Sequence, residues 1–275
     1  MVLALVVAVP ASDAELAADA LWALGVAAIE ERGGESGTED HVVELWTSLG
    51  DDAAAVARAA EGFPGRWRWR LVEVDESVAD TWRAHVTPTW VADDLVVVPA
   101  WLPFDAPAGA SAVRIEPGAA FGLGNHPTTV ASLRAMRAAL FPGATVLDVG
   151  CGSGVLGITA CLLGAARCEA IDLSPGAVSA TVDNAARNGV AARVRASTTS
   201  LADVDETFDL VVANILAPAL IELAADLRRV LAPAGVLVIS GVLAERFDHV
   251  VAALAPLRVI DVDRLEGWAA ISLRA

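Results

Sequence analysis

A chain of 275 residues, 55% of them hydrophobic, can bury a sizeable core, yet Pro, Gly, Asp or Arg interrupts each apolar run before the ~20 residues of a membrane helix. All nineteen basic residues are Arg, and a formal net charge of -16 argues against a nucleic-acid-binding surface and for a basic or neutral partner, although acidity also serves solubility. The apolar start, Met1 to Val9, lacks a basic flank, and Cys151, Cys161 and Cys168 form no close pair, so a monomeric cytoplasmic protein with reduced thiols and no metal is expected.

Residues 1–75 read as a small α+β domain. Its elements are strand Val2 to Val9, helix Asp13 to Leu24, strands Val26 to Arg32 and His41 to Thr47, helix Asp51 to Gly62, and strand Arg66 to Val74. That β-α-β-β-α-β order is the ferredoxin-like arrangement. Ser12 is placed to cap the first helix, Leu16, Ala20 and Leu24 share one of its faces, and Gly33, Gly34 and Gly37 supply a flexible hairpin. Arg66, Arg68 and Arg70 alternate with Trp67, Trp69 and Leu71, giving the last strand a cationic and an apolar face. In so acidic a chain this stripe reads as packing plus a solvated face rather than an RNA surface. Residues 76–94, with Trp82, Pro88 and Trp90, read as an ordered linker.

A second domain, 95–275, opens with strand-like runs Leu95 to Trp101 and Ala112 to Glu116. Strands at 145–149, 168–172, 192–196, 208–213 and 235–240 then alternate with helices at 154–163, 175–188, 217–231 and 243–253, and two more strands close the chain. Such alternation implies an α/β fold, a mostly parallel sheet with helices on both faces.

The chemistry concentrates where the strand Thr145 to Val149 runs into a turn carrying Gly150, Cys151, Gly152 and Gly154. Glycines at the end of a buried strand let the backbone turn tightly and approach a ligand. A dinucleotide site wants its third glycine at position 155, where this chain has Val, so a nicotinamide oxidoreductase is disfavoured. Asp148 suits a cationic ligand better than a pyrophosphate. About 20 residues on, Asp172 can accept hydrogen bonds from both hydroxyls of a ribose.

These residues resemble class I S-adenosylmethionine-dependent methyltransferases, which implies a Rossmann-like seven-stranded sheet with a reversed last strand. Phe121-Gly-Leu-Gly-Asn-His-Pro-Thr-Thr129 and Asn214-Ile-Leu-Ala217 are similar to segments of the ribosomal protein L11 methyltransferase family. Its pattern continues through Trp82-Arg83, Pro99-Ala-Trp101, Glu116-Pro-Gly118 and Glu266-Gly-Trp-Ala269.

The resemblance implies S-adenosyl-L-methionine as methyl donor, held by Thr128, Thr129, Asp148, Gly150, Cys151, Gly152, Gly154, Asp172 and Asn214. It implies that Asn214 is the catalytic residue, orienting an acceptor nitrogen, and that the small domain recognises a basic ribosomal protein, methylated on lysine side chains or its N-terminal amine. The family usually has Thr where this chain has Leu123, so no role passes to that position. Pro127-Thr-Thr is also a plain helix start, His126 reads more as a structural hydrogen-bonding group than as a base, and a strand-terminal Asn214 can instead cap the next helix. The competing readings are a lysine of another protein or a small molecule as acceptor, and a non-catalytic donor-binding module.

Overall fold

Apolar alternation builds a small sheet in the first of two units, Met1–Val86. The computed structural model describes residues 2–24, 26, 29–32, 42–47, 53–74, 86–116 and 122–275. The unit runs β1 (Val2–Pro10), a 3-10 turn (Ala11–Asp13), α1 (Ala14–Ala23), β2 (Glu30–Arg32), β3 (Val42–Thr47), α2 (Ala53–Ala60) and β4 (Arg68–Val74). All pairings are antiparallel, in the order β2-β3-β1-β4, the ferredoxin-like topology. Leu5, Val7 and Val9 of β1 and Val43 and Leu45 of β3 pack in one core with Ala17, Leu21, Val56 and Ala60 of the helices.

The inner face of α1 differs from expectation. Ala17 and Leu21 are buried, whereas Leu16 and Leu24 are 53% and 36% exposed. The helical path begins directly after Pro10, with Ser12 inside the 3-10 turn that leads into α1. An alanine-rich helix carries more than one small apolar face, and this earlier entry selects the face turned to the sheet. Gly33, Gly34, Gly37, His41, Trp82-Arg83, Pro117-Gly118 and Phe121 lie outside the described residues.

Two arginines of the stripe, Arg66 and Arg70, are paired within this unit. Trp67 is buried and its Nε1 donates to Asp13 at 2.8 Å, and Arg66 pairs with the same carboxylate. On the other face Arg70 forks onto Glu44 at 2.7 and 3.0 Å, while Arg32 and Arg70 lie 4.1 and 5.6 Å from the centre of the Trp46 ring. Trp69 keeps part of its ring exposed, so the apolar face is incomplete.

The second unit, Thr87–Ala275, starts ahead of the expected boundary. Within the stretch 76–94 read as linker, β5 (Thr89–Ala92) pairs with β6 (Leu95–Pro99), which pairs in turn with β7 (Ser111–Ile115). The turn at Asp93 and Asp94 makes this a hairpin, which short polar punctuation disguises as a tether.

There follow α3 (Pro127–Ala139), β8 (Thr145–Val149), α4 (Val155–Leu162), β9 (Arg167–Ile171), α5 (Pro175–Arg187), β10 (Val194–Ser197), β11 (Phe208–Asn214), α6 (Ala217–Glu222), α7 (Ala224–Arg229), β12 (Leu231–Leu243), α8 (Asp248–Ala253), β13 (Arg258–Leu265) and β14 (Trp268–Arg274). Seven strands form one sheet in the order β10-β9-β8-β11-β12-β14-β13, with β14 antiparallel to both its neighbours. The expected helix 217–231 is two helices that meet at Leu223, and 243–253 shortens to α8 because β12 runs on to Leu243, pairing with Trp268.

Both faces of this sheet are covered. Val146, Leu210, Val212 and Val238 join a core with α3, α4 and the three-stranded sheet, and Leu147, Val149, Val211 and Ile239 join another with α6, α7 and α8. Strands buried on both sides read as continuous apolar runs, as those of parallel sheets do.

Candidate active site

Three neighbouring parallel strands stop level with one another. Val149 of β8 is in register with Ile171 of β9 and with Ala213 of β11, so the next residues, Gly150, Asp172 and Asn214, stand in a row at the carboxyl edge. Strand order reverses at β8, and open α/β sheets bind their ligands at such a switch point.

Gly150, Gly152 and Gly154 have φ of +72°, +55° and +80°, a region that penalises a side chain. Gly150 N and Cys151 N both donate to Ile171 O, at 2.8 and 3.1 Å, Gly152 N donates to Asp172 Oδ2 at 3.0 Å, and Gly154 N donates to Cys151 O at 2.8 Å. Four amides that a pyrophosphate turn would aim at its ligand are thus committed within the chain. The acceptor left beside the turn is a side chain. Asp172 Oδ1 accepts from Ser174 N at 2.9 Å, so each carboxylate oxygen holds one backbone N–H and keeps a lone pair for a hydroxyl.

Asp148 is not presented to that edge. Strand alternation puts it on the same face as Val146, fully enclosed against α4, where its Oδ2 accepts from Gly157 N at 2.9 Å and its Oδ1 has no partner among the described residues. Helix α4 begins at Gly154 without a side-chain cap, and Asp148 supplies that acceptor from the neighbouring strand. Burial pushes its carboxyl up to about 7, against the opposing pull of the Gly157 hydrogen bond. The carboxylate expected from the sequence to contact the donor faces the core here and supports the turn from beneath. Cys151 is likewise buried, its Sγ 3.4 Å from Thr181 Oγ1, and burial raises its thiol far above the ordinary value. Its contribution to the turn is its backbone.

His126 caps α3: its Nδ1 accepts from Thr128 N at 3.3 Å and lies 2.8 Å from Thr128 Oγ1. Burial lowers the affinity of its ring for a proton, opposed by the charge of Glu266, and the ring meets Trp268 edge-on at 5.4 Å between centroids. Thr128 and Thr129 are therefore a buried first helical turn. The Thr128 hydroxyl is engaged by His126, whereas Thr129 Oγ1 is buried with no partner among the described residues.

Asn214 ends β11 in register with Ser240 of β12 and is half-buried. Its amide makes no hydrogen bond to any described residue, and the residue capping α6 is Leu216, without a side-chain bond, so the helix-cap alternative for Asn214 falls. Beyond it, Ile215 is held on both sides: a Cβ on Gly150 would stand 2.4 Å from Ile215 Cγ2, and one on Gly241 2.4 Å from Ile215 O.

Ser153, Thr181, Asn184 and Ser240, all buried, also shape the site and were missed in the sequence. Ser153 Oγ donates to Gly122 O at 2.6 Å, and Ser240 Oγ reaches Ala269 O at 3.0 Å and Thr128 O at 3.3 Å. A signal existed for two of them, since Ala177, Thr181, Asn184 and Ala185 recur with helical spacing on one buried face of α5.

A family model described as Ribosomal protein L11 methyltransferase (PrmA) matches residues 12–275. The chain belongs to this family. The ribosomal protein L11 methyltransferase of Symbiobacterium thermophilum is 42% identical over 210 residues, 76% of this chain and 68% of that protein. Its counterpart in Geobacter sp. (strain M21) is 41% identical over 228 residues, 80% and 74% of the two chains. Among solved structures, the ribosomal protein L11 methylase of Lactobacillus delbrueckii subsp. bulgaricus is 34% identical with a TM-score of 0.64, covering 68% of this chain and 98% of that one. The class I methyltransferase fold expected from the glycine turn is the fold this family member has.

Proposed function

We propose that this family member methylates amine nitrogens of ribosomal protein L11, lysine side chains foremost, using S-adenosylmethionine as donor. The observation that carries the donor assignment is the Asp172 carboxylate beside the glycine turn, each oxygen taking one backbone N–H and keeping a lone pair for a hydroxyl, while the amides of Gly150, Cys151, Gly152 and Gly154 are spent within the chain. Such an edge suits a ligand with hydroxyl donors and positive charge. The residues present fit it: Asp172 retains acceptor capacity for a vicinal diol, Thr129 Oγ1 is an orphaned buried hydroxyl, and the Asn214 amide is uncommitted beside the turn.

When bound, the donor supplies an electrophilic methyl group on a positively charged sulfur. Asn214 then orients the acceptor, its amide oxygen accepting from the attacking amine. An amine of reference pKa ~10.4 must shed its proton first, and a half-buried position beside positive charge lowers that value. Alignment and desolvation therefore carry most of the acceleration. His126 acts as a helix cap in this scheme, and a net charge of -16 favours encounter with a basic protein.

The test is incubation of the chain with methyl-labelled donor and purified ribosomal protein L11, followed by amino-acid analysis of the product. Label is expected on methylated lysine. Donor binding without label on any protein amine would overturn the acceptor assignment, and failure of the chain to bind donor would overturn the donor site itself.

A further inference from the structure

Helix α5 reaches the turn with two buried polar side chains on consecutive carbonyls. Thr181 Oγ1 donates to Gly152 O at 3.1 Å and Asn184 Nδ2 donates to Ser153 O at 2.9 Å. Asn184 is fully enclosed, and the same amide spans a second element: Nδ2 also donates to Glu116 O at 2.9 Å and Oδ1 accepts from Glu116 N at 3.0 Å, just past β7. Asn188, one turn later, repeats only half of this pattern. Its Nδ2 donates to Arg114 O at 2.7 Å and its Oδ1 accepts from Arg114 N at 2.8 Å, with no contact to the turn.

We infer that Asn184 is a positioning residue for methyl transfer, holding the donor turn in its binding geometry through Ser153 O while Asn188 serves the fold alone. This rests on the donor reading of the turn given above. A loop whose glycines sit at 150, 152 and 154 has little conformational preference of its own, so its shape must come from groups outside it. Its amides are fixed by Ile171 O and Asp172, and its carbonyls at 152 and 153 by α5. Releasing either set returns conformational freedom to the turn, which donor binding must then remove. The loss therefore appears in donor affinity as well as in stability.

The pair Asn184→Ala and Asn188→Ala separates the two roles, because each removes an amide bridge from α5 to the β7 end and only the first frees Ser153 O. Calorimetric titration with S-adenosylmethionine, alongside thermal unfolding, is expected to show both variants losing stability, with the dissociation constant raised on the order of tenfold in Asn184→Ala and within about twofold of the parent in Asn188→Ala. In steady state the Asn184→Ala defect falls on KM for the donor more than on KM for the protein acceptor. Equal donor affinity in the two variants overturns the inference. Should Asn184→Ala fail to fold, Thr181→Val removes the neighbouring carbonyl bond while keeping the side-chain shape, and unchanged donor affinity there overturns it equally. Absence of donor binding by the parent chain instead refutes the donor site, and the inference with it.

Discussion

Asp148→Asn exchanges an enclosed acid for a neutral side chain of the same shape, and its effect on stability depends on pH. In the folded chain burial raises the carboxyl from an ordinary 3.8 to about 7, so between those values the native state binds the proton that the unfolded state has released. Stability from this group is fully present below the unfolded value and is lost as pH rises through the folded one. At ~1.36 kcal/mol per pH unit the full interval corresponds to about 4 kcal/mol, of which roughly 3 kcal/mol falls between about pH 5 and about pH 8.

The amide of the variant keeps its oxygen toward Gly157 N, where Asp148 Oδ2 now accepts at 2.9 Å, and turns its N–H groups toward the place of the unpartnered Oδ1. It mimics the protonated acid and does not titrate. The gap between the two proteins is therefore expected to widen in the variant's favour from about pH 5 to about pH 8, by a further shift on the order of 6–12 °C at ~2–4 °C per kcal/mol. Paired unfolding scans across that range are the assay. Parallel curves with a constant gap would show that Asp148 is ionised throughout and that the enclosure deduced here is wrong.

Asn214→Ala should lower kcat on the order of 100-fold with a smaller loss of donor affinity, whereas Asp172→Ala should weaken donor binding roughly 10–100-fold; titration and single-turnover rates distinguish them, and the reverse pattern would exchange the two roles. Gly241→Ala puts a Cβ 2.4 Å from Ile215 O at φ +84°, which should cost about 2–4 kcal/mol in denaturant unfolding and reduce kcat by displacing the neighbouring Asn214. Cys151, Cys161 and Cys168 are buried with raised thiol values, Cys161 to about 11, so a disulfide reagent should label them only after unfolding, and rapid labelling of native protein would contradict that burial.

The sheet was readable because its strands announce themselves. Leu210-Val-Val-Ala213 is a continuous apolar run and Val146-Leu-Asp-Val149 is broken only by Asp148, and two-sided burial writes that signal directly. The first helix was harder, since Ala14–Ala23 offers alanines on several faces and only the 3-10 entry decides that Ala17 and Leu21 turn inward. Position 148 shows the limit of motif reading. Spacing from the glycines suggested a ligand contact, yet strand alternation shared with Val146 already required the side chain to enter the core beneath the turn.

Glycine spacing disfavours a dinucleotide but does not say which way the turn's amides face, because the same three glycines permit amides to face a ligand or to face the chain. The deciding contacts come from far along the sequence. Ile171 O takes the amides of Gly150 and Cys151, Asp172 takes that of Gly152, and Thr181 and Asn184 take the carbonyls of Gly152 and Ser153. Only these partners show that four of the turn's amides are turned inward, with Asp172 on one side of the turn and Asn214 on the other. The selectivity of this edge for a cationic, hydroxyl-bearing donor thus resides in the strand and helix that surround the glycines, and substitutions there should alter donor affinity without touching the motif itself.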